Sequence, residues 1–350
     1  MKKILLIVLA AITVYHLSGE QIGTLTEVLN PEQLVVAGDR CYIMEGPTIF
    51  IYLLKDFRLI KKFGKKGEGP GEIAQIPFIT NGLTAFDNKI LVDGTNKIII
   101  FTRDGTMEKE IRKKGRLSNV LPVGDGFVAT TLKAGEDKKA YVTITLIDAQ
   151  MNASKELYKQ LLPQQGRNIR MLPDTVNVAV YENKIYVEES AKGFIIEVFD
   201  SKGNALYKIQ KKGIPLKVTE KDKEVLLQEF KNDKLVQFQM KQAGGWDEYK
   251  RLLDFHYPDN FPPIRDILVI DGKIYVRTYI TQKGKEKYHI LDLKGKDLKT
   301  VFLPKPILAS LITRILSRTV RFFHIANEKY YYLVENEEEE EWELHGVPVH

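Results

Sequence analysis

Between residues 83 and 111 the chain alternates short apolar runs with polar breaks. The runs cover 83–86, 89–92, 97–102 and 107–111, with Asp87-Asn88 and Asp104-Gly105 among the breaks. Short runs rich in β-branched residues, bounded by Asn, Asp and Gly, are the pattern of strands joined by tight turns. The stretch predicts one four-stranded antiparallel unit, introduced by the glycine-rich segment 64–73, and weaker copies of it recur along the chain.

The step from a polar turn into an apolar run serves as an anchor for the repeat. It appears at Asp39-Arg40-Cys41-Tyr42-Ile43, Asp87-Asn88-Lys89-Ile90-Leu91-Val92 and Gly124-Asp125-Gly126-Phe127-Val128. It returns at Glu182-Asn183-Lys184-Ile185-Tyr186-Val187, Asp271-Gly272-Lys273-Ile274-Tyr275-Val276 and Asn327-Glu328-Lys329-Tyr330-Tyr331-Tyr332. Counted from Lys89 and its equivalents, the six anchors are 49, 37, 58, 89 and 56 residues apart. Four of these intervals lie around the roughly 40–50 residues of a β-propeller blade. A second feature keeps the same phase: Asp104-Gly105, Asp200-Ser201-Lys202-Gly203 and Asp292-Leu293-Lys294-Gly295 each follow one strand and precede another. Asp opens turns through its side-chain oxygen and Gly accepts positive φ, so these segments read as the outer hairpins of each blade. The expected fold is all-β, a six-bladed β-propeller of four-stranded antiparallel blades.

The 89-residue interval requires an insertion, expected at about 213–262 between blades four and five. Thr219 with Asp222 resembles a helix-capping start, and residues 221–231 lack Gly and Pro. Trp246, Tyr249, Leu253 and His256 fall at helical spacing, and Asp259-Asn260-Phe261-Pro262-Pro263 ends any helix. A further helix is expected at 307–320, packed across the end of the ring. The last repeat, 320–345, supplies only three strands. Because a ring of sheets must not end on an open edge, residues 23–29 are expected to pair with 340–346 and close it.

Composition narrows the class. With 44% hydrophobic and 28% charged residues, the 350-residue chain has the make-up of a water-soluble globular protein. Its start is different: basic Lys2-Lys3, an apolar stretch at 4–14 and small Ser18-Gly19 form a secretory signal pattern, with an apolar core too short to span a bilayer comfortably. The expected division is a signal peptide at 1–19 and the propeller at 20–350, exported to a periplasmic or extracellular location. No integral membrane span is expected after signal removal. Without Lys2 and Lys3 the formal charge of +6 falls to +4, which does not point to nucleic acid. Cys41 is the single cysteine and cannot form an internal disulfide; it reads as a buried apolar thiol.

The segment Phe63-Gly64-x-x-Gly67-x-Gly69-Pro70-Gly71-Glu72-Ile73, followed by Asp87-Asn88-Lys89-Ile90-Leu91-Val92 and Asn96-Lys97-Ile98, resembles the NHL-type repeat. The match is to exported bacterial six-bladed propellers of the TolB-like superfamily. The full glycine motif occurs once, and the blade pattern covers roughly 23–346. The resemblance implies a binding platform or, in some members, an enzyme scaffold.

No local motif assigns chemistry. The 64–71 loop lacks the helix start and Lys-Ser or Lys-Thr pair of a phosphate cradle, and Pro70 removes a donor, so its glycines read as turning the crossover between blades. Glu335-Asn336 and Glu337–341 could gather calcium but read more simply as an exposed hairpin tip. The six histidines show no ligand spacing, and there is no Gly-x-Ser-x-Gly or Cys-x-x-Cys. The expectation is therefore no cofactor and no metal.

Mapping the repeat places Asn81, Asn119, Asn177, Arg265 and Arg321 at or near innermost strands. Converging amides and guanidiniums there would suit a polar or anionic ligand, or would only solvate a wet channel. The first expectation is a monomeric, non-enzymatic module binding a protein, peptide or glycan through one face. The alternative is a metal-dependent hydrolase or lyase of the lactonase or amidating-lyase kind, for which that resemblance implies a divalent metal held in the channel.

Overall fold

A computed structural model describes residues 19–76, 80–162, 167–172, 176–189, 192–213, 215–306 and 321–349. The expected helix at 307–320 and most of the expected signal segment lie outside these described residues.

Six four-stranded antiparallel sheets follow one another along the chain. Strand β1 (Glu20–Thr24) stands apart from them in sequence. Blade one is β2 (Gln33–Ala37), β3 (Arg40–Glu45), β4 (Thr48–Leu53) and β5 (Leu59–Phe63), and blade two is β6 (Gly82–Phe86), β7 (Lys89–Asp93), β8 (Lys97–Thr102) and β9 (Met107–Arg112). Blade three is β10 (Leu117–Val123), β11 (Gly126–Ala134), β12 (Ala140–Ile147) and β13 (Ala153–Leu161). After the short β14 (Asn168–Arg170) comes blade four, β15 (Val176–Tyr181), β16 (Lys184–Glu189), β17 (Phe194–Asp200) and β18 (Ala205–Lys211). The insertion holds β19 (Leu216–Lys217), helices α1 (Glu220–Lys231), α2 (Lys234–Ala243) and α3 (Trp246–Arg251), then β20 (Asp254–His256) and β21 (Asn260–Phe261). Blade five is β22 (Asp266–Ile270), β23 (Lys273–Gln282), β24 (Lys285–Asp292) and β25 (Asp297–Pro304). Blade six is β26 (Phe323–Ala326), β27 (Lys329–Asn336) and β28 (Glu341–Pro348), with β1 as its fourth and outermost strand.

The first strand of each blade is innermost. Neighbouring first strands touch around the ring, β2 with β6 and β26, β10 with β6 and β15, and β15 with β22. Each sheet buries both faces, and side chains alternate across it. Leu34 and Val36 enter the core between blades six and one, while Val35 enters the core between blades one and two. Four further clusters fill the remaining seams, so the core is distributed as one apolar layer per seam. Cys41 lies in the seam between six and one, fully buried and free, and burial pushes its thiol far above the ordinary range.

The anchors are two-residue hairpins. Asp87-Asn88, Glu182-Asn183, Asp271-Gly272 and Asn327-Glu328 hold two successive positive φ angles, the type I′ requirement, whereas Gly38-Asp39 and Gly124-Asp125 use one at the glycine, as type II′ does. The second repeated turn is built by the Asp side chain at Asp200 and Asp292, and also at Asp148. Each accepts from the backbone N–H groups two and four residues on, at 2.9 and 2.8 Å. At Asp104 the carboxylate instead accepts from Arg40 Nη1 (2.6 Å), and Thr102 Oγ1 accepts from Thr106 N–H (3.1 Å) in its place.

Closure uses the amino-terminal strand at a register slightly earlier than expected. Residues 20–24 pair with 343–346, Leu25 N–H still donates to Trp342 O (2.7 Å), and the chain then turns beneath Trp342, whose Nε1–H donates to Leu29 O (3.0 Å). The glycine-rich crossover is a structural latch. Lys97 Nζ, buried under it, donates to Gly69 O (2.6 Å) and Glu110 Oε2 (2.8 Å), and Gly71 N–H donates to the same carboxylate oxygen (2.7 Å).

Within the insertion, Thr219 and Asp222 form the expected capping box on α1. Helix α3 ends at Arg251, short of the predicted extent to His256. Asp254 N–H is captured by Arg167 O (2.6 Å), and β20 pairs in parallel with β14 instead of continuing the helix.

Candidate functional site: the insertion face and the hub

Strand direction sorts the connections onto two ends of the ring. The start of each first strand, the end of the second, the start of the third and the end of the fourth share one end. That end carries every crossover between blades, including the 64–73 latch and the helical insertion, and we call it the insertion face. The opposite end carries the tight hairpins, the entry of β1 and the end of β28. The chain has placed its long additions on one side.

The insertion has its own small core. Phe230, Val236 and Met171 are buried there, packed by Trp246, Tyr249, Leu253, Phe255 and Ile169. Thr219 and Asp233 cap α1 and α2, and Gly244 in the left-handed region ends α2. One ion pair ties it to the ring, and one longer-range charge effect reaches a second blade. Lys305, after the last strand of blade five, pairs with Glu229 at 3.2 Å. Glu32, leading into blade one, has its carboxyl raised by burial, and a backbone hydrogen bond from Gly46 and the charge of Lys234 at the start of α2 pull it partly back. The insertion, which follows blade four, is thus anchored on blade five at its insertion-face end.

Beneath it lie the strand starts. Asn81 is buried and its Nδ2 donates to Ala74 O (3.1 Å). Asn119 is buried at φ +51, with Nδ2 3.4 Å from Thr130 Oγ1. Asn177 donates to Glu188 Oε2. Arg265 donates from Nη1 to Glu286 Oε1 (2.7 Å), with its guanidinium over the Tyr279 ring. Arg321 is bidentate on Asp266, Nε to Oδ2 at 2.9 Å and Nη2 to Oδ1 at 2.8 Å, and this pair joins blade six to blade five. The five residues thus stand at the inner starts of blades two to six, and among the described contacts Arg265 and Arg321 are the two drawn together, at the seam of blades five and six.

Their partners were missed in the sequence, although a signal existed. Four residues beyond each anchor stand Met44, Asp93, Thr130, Glu188, Arg277 and Leu333, and the four polar members occupy consecutive blades two to five. Asn177 is directly opposite Glu188, and Asp266 opposite Arg277. Gln33 was also missed: its side chain donates to Leu83 O and accepts from Leu83 N–H, both at 2.8 Å, stitching blade one to blade two. Asp93 does the same between blades two and three, accepting from Val120 N–H (3.1 Å) and pairing with Lys113 Nζ (2.5 Å).

The other candidates resolve into structural roles. Glu337–340 form the turn between β27 and β28, organised by Asn336 Oδ1 accepting from Glu338 and Glu339 N–H. His256 contacts Asn168 Oδ1 (3.1 Å) and His289 contacts Thr300 Oγ1 (3.3 Å). His324 is buried, which lowers its pKa to about 4 with help from the Arg321 charge. Among the described residues no three His, Cys, Asp or Glu side chains gather as a metal site would require, and no helix is long and apolar enough to cross a membrane.

These features define a six-bladed β-propeller with one elaborated face. No protein-family model matches the sequence, and no curated protein matches it. Among solved structures the chain is similar to BamB from Moraxella catarrhalis, at 10% identity and TM-score 0.30, covering 90% of this chain and 71% of that one. It is also similar to the Pan2 WD40 domain of Neurospora crassa, at 11% identity and TM-score 0.38, covering 91% and 75%. The AfRom2 CNH domain gives 9% identity and TM-score 0.41, covering 94% and 98%. At these scores the likeness assigns no ligand or activity to this chain.

Proposed function

We propose that the protein is an exported, NHL-like propeller that binds a protein, peptide or glycan partner on its insertion face. One observation carries this reading: the crossovers and the helical insertion collect at one end of the ring, while the other end, among the described residues, has tight turns, the entry of β1 and the end of β28. Recognition residues concentrate on loops held by a rigid scaffold, and the insertion offers exposed Val225, Phe238 and Leu252. Asn81, Asn119, Asn177, Arg265 and Arg321 lie in the hub beneath, where they brace the strand starts and set the polar lining any ligand would meet.

The test is site-specific photo-crosslinking in the native host, with the reactive residue at Phe238 or Lys241 on α2, and at Asn88 or Lys202 on the opposite end. The reading expects a discrete adduct from α2 positions only; adducts from the hairpin end would count against it. Export is checked by the mass of the released protein, expected to begin near residue 20. For the hydrolase or lyase alternative, metal analysis of the purified chain is the discriminating measurement, and about one tightly held divalent ion per chain would favour it.

A further inference from the structure

The strand that closes the ring is fastened at its entry by a histidine. His345, in β28, is buried, and its two ring nitrogens face two acceptors. Nδ1 is 3.1 Å from the carbonyl oxygen of Gly19, the residue before β1, and Nε2 is 2.6 Å from Glu343 Oε2 on its own strand. A carbonyl accepts and does not donate. An ionised carboxylate does the same, and the bond from His345 holds the Glu343 carboxyl below its ordinary range, with Asn336 helping against partial burial. Turning the imidazole over would set Cδ2 and Cε1 against the two oxygens and satisfy neither. Both contacts are made only when both nitrogens carry a proton.

The groups packed around His345 leave the switch to this pair. Tyr332 of β27 lies against the ring, 5.6 Å between centroids, and its hydroxyl accepts from Gly19 N–H (2.8 Å); burial raises its phenol, so it stays neutral. Asn336, ending β27, donates to the other Glu343 oxygen (3.0 Å). On β1, Glu20 pairs with Lys329 at 3.2 Å beside Gly346, which points to the opposite face of the sheet from His345.

We propose that His345 is a proton-operated clasp on the ring closure, gripping β1 as an imidazolium and loosening it when a proton leaves. Loss from Nδ1 turns a lone pair toward the Gly19 carbonyl, and loss from Nε2 turns one toward the Glu343 carboxylate, so either route makes one contact repulsive. The hold is present at low pH and lost as pH rises through the titration of the ring; protonation of Glu343 removes it at the acid end. The effect falls on a strand of five residues whose register already shifts between Gln21 and Gly23. Loosening it uncovers the 343–346 edge of β28. The clasp operates in the full chain and in any processed form that keeps residue 19, and it does not depend on the partner-binding reading.

The experiment is hydrogen exchange of the full chain, read by mass spectrometry over residues 19–26 and corrected for the intrinsic pH dependence of exchange. Wild type should be roughly tenfold more protected than His345→Gln at about pH 6, the worth of one charge-assisted hydrogen bond, and the two should converge by about pH 8.5. Nitrogen chemical shifts of the wild-type ring should show both positions protonated at the lower pH. Glu343→Gln, which keeps an oxygen for Nε2–H but no charge, should flatten the pH profile of wild type, and it decides the matter if His345→Gln does not fold. A protection ratio constant across this range, a Glu343→Gln profile as steep as that of wild type, or an unprotonated ring nitrogen at about pH 6 would each overturn the clasp.

Discussion

Lys113→Met isolates the inter-blade pairing on which the hub depends. Asp93 closes β7 and Lys113 leaves β9, and their side chains are 6% and 3% exposed with 2.5 Å between Nζ and Oδ1. Removing the lysine leaves a carboxylate buried and holding only backbone N–H donors, chiefly Val120. Breaking a buried pair on one side costs about 3–5 kcal/mol, whereas an exposed pair costs about 0–1. For a chain of this size, that corresponds to a Tm drop of about 4–7 °C. Urea unfolding followed by circular dichroism at pH 7 measures the difference, with m unchanged if only stability has moved. The pH dependence has a definite sign. Burial is the largest influence on Asp93 and raises its pKa in the folded state, with Lys113 opposing. Without that opposition the folded state holds its proton to higher pH than the unfolded chain, so the deficit should shrink as pH falls from 7 through the raised pKa. Asp93→Leu combined with Lys113→Met should recover much of the loss. A single-variant cost under about 1 kcal/mol, as at an exposed pair, would refute the reasoning.

Gly64→Ala should cost about 2 kcal/mol or more in the same assay, because φ is +91° and an added Cβ would sit 2.2 Å from Pro47 O. Glu182→Asn should raise stability by a few tenths of a kcal/mol, since position 182 holds φ +48° and Asn tolerates the left-handed region better than Glu. At the ring closure, the hydrogen bond from His345 holds the Glu343 carboxyl below its ordinary range, with Asn336 helping against partial burial. A depressed carboxyl contributes stability above its unfolded pKa and loses it as pH falls through the folded value. Acid unfolding of wild type between about pH 5 and pH 2 should therefore be steeper than that of His345→Ala, as a pH titration of Tm would show.

The architecture was legible because turn chemistry repeats. Asp-Asn, Glu-Asn, Asp-Gly, Gly-Asp and Asn-Glu pairs at a common phase mark six hairpins whose φ angles those residues accommodate, and register follows once the turn is fixed. The hub was only half legible. Asn81, Asn119, Asn177, Arg265 and Arg321 could be placed at strand starts from the repeat alone, but their partners depend on spatial register. Glu188 faces Asn177 across a hairpin, and Asp266 meets Arg321 from 55 residues away. Helix α3 was overextended for a related reason: the spacing of Trp246, Tyr249 and Leu253 reports a face packed on Phe230 and Val236, while the backbone at Asp254 is claimed by a strand from before blade four.

Closure of the ring by the amino-terminal strand is the claim from which the two faces follow. Thr24 and Glu343 are directly opposed in that pairing. Antiparallel partners stand about 4.5–5.5 Å apart at Cα, within disulfide reach. Thr24→Cys with Glu343→Cys, oxidised in the folded chain, should give one intramolecular disulfide in near-complete yield and a higher Tm than the reduced form, with buried Cys41 unreacted. Free thiols at both positions after oxidation, or only intermolecular dimers, would contradict a closed six-bladed ring.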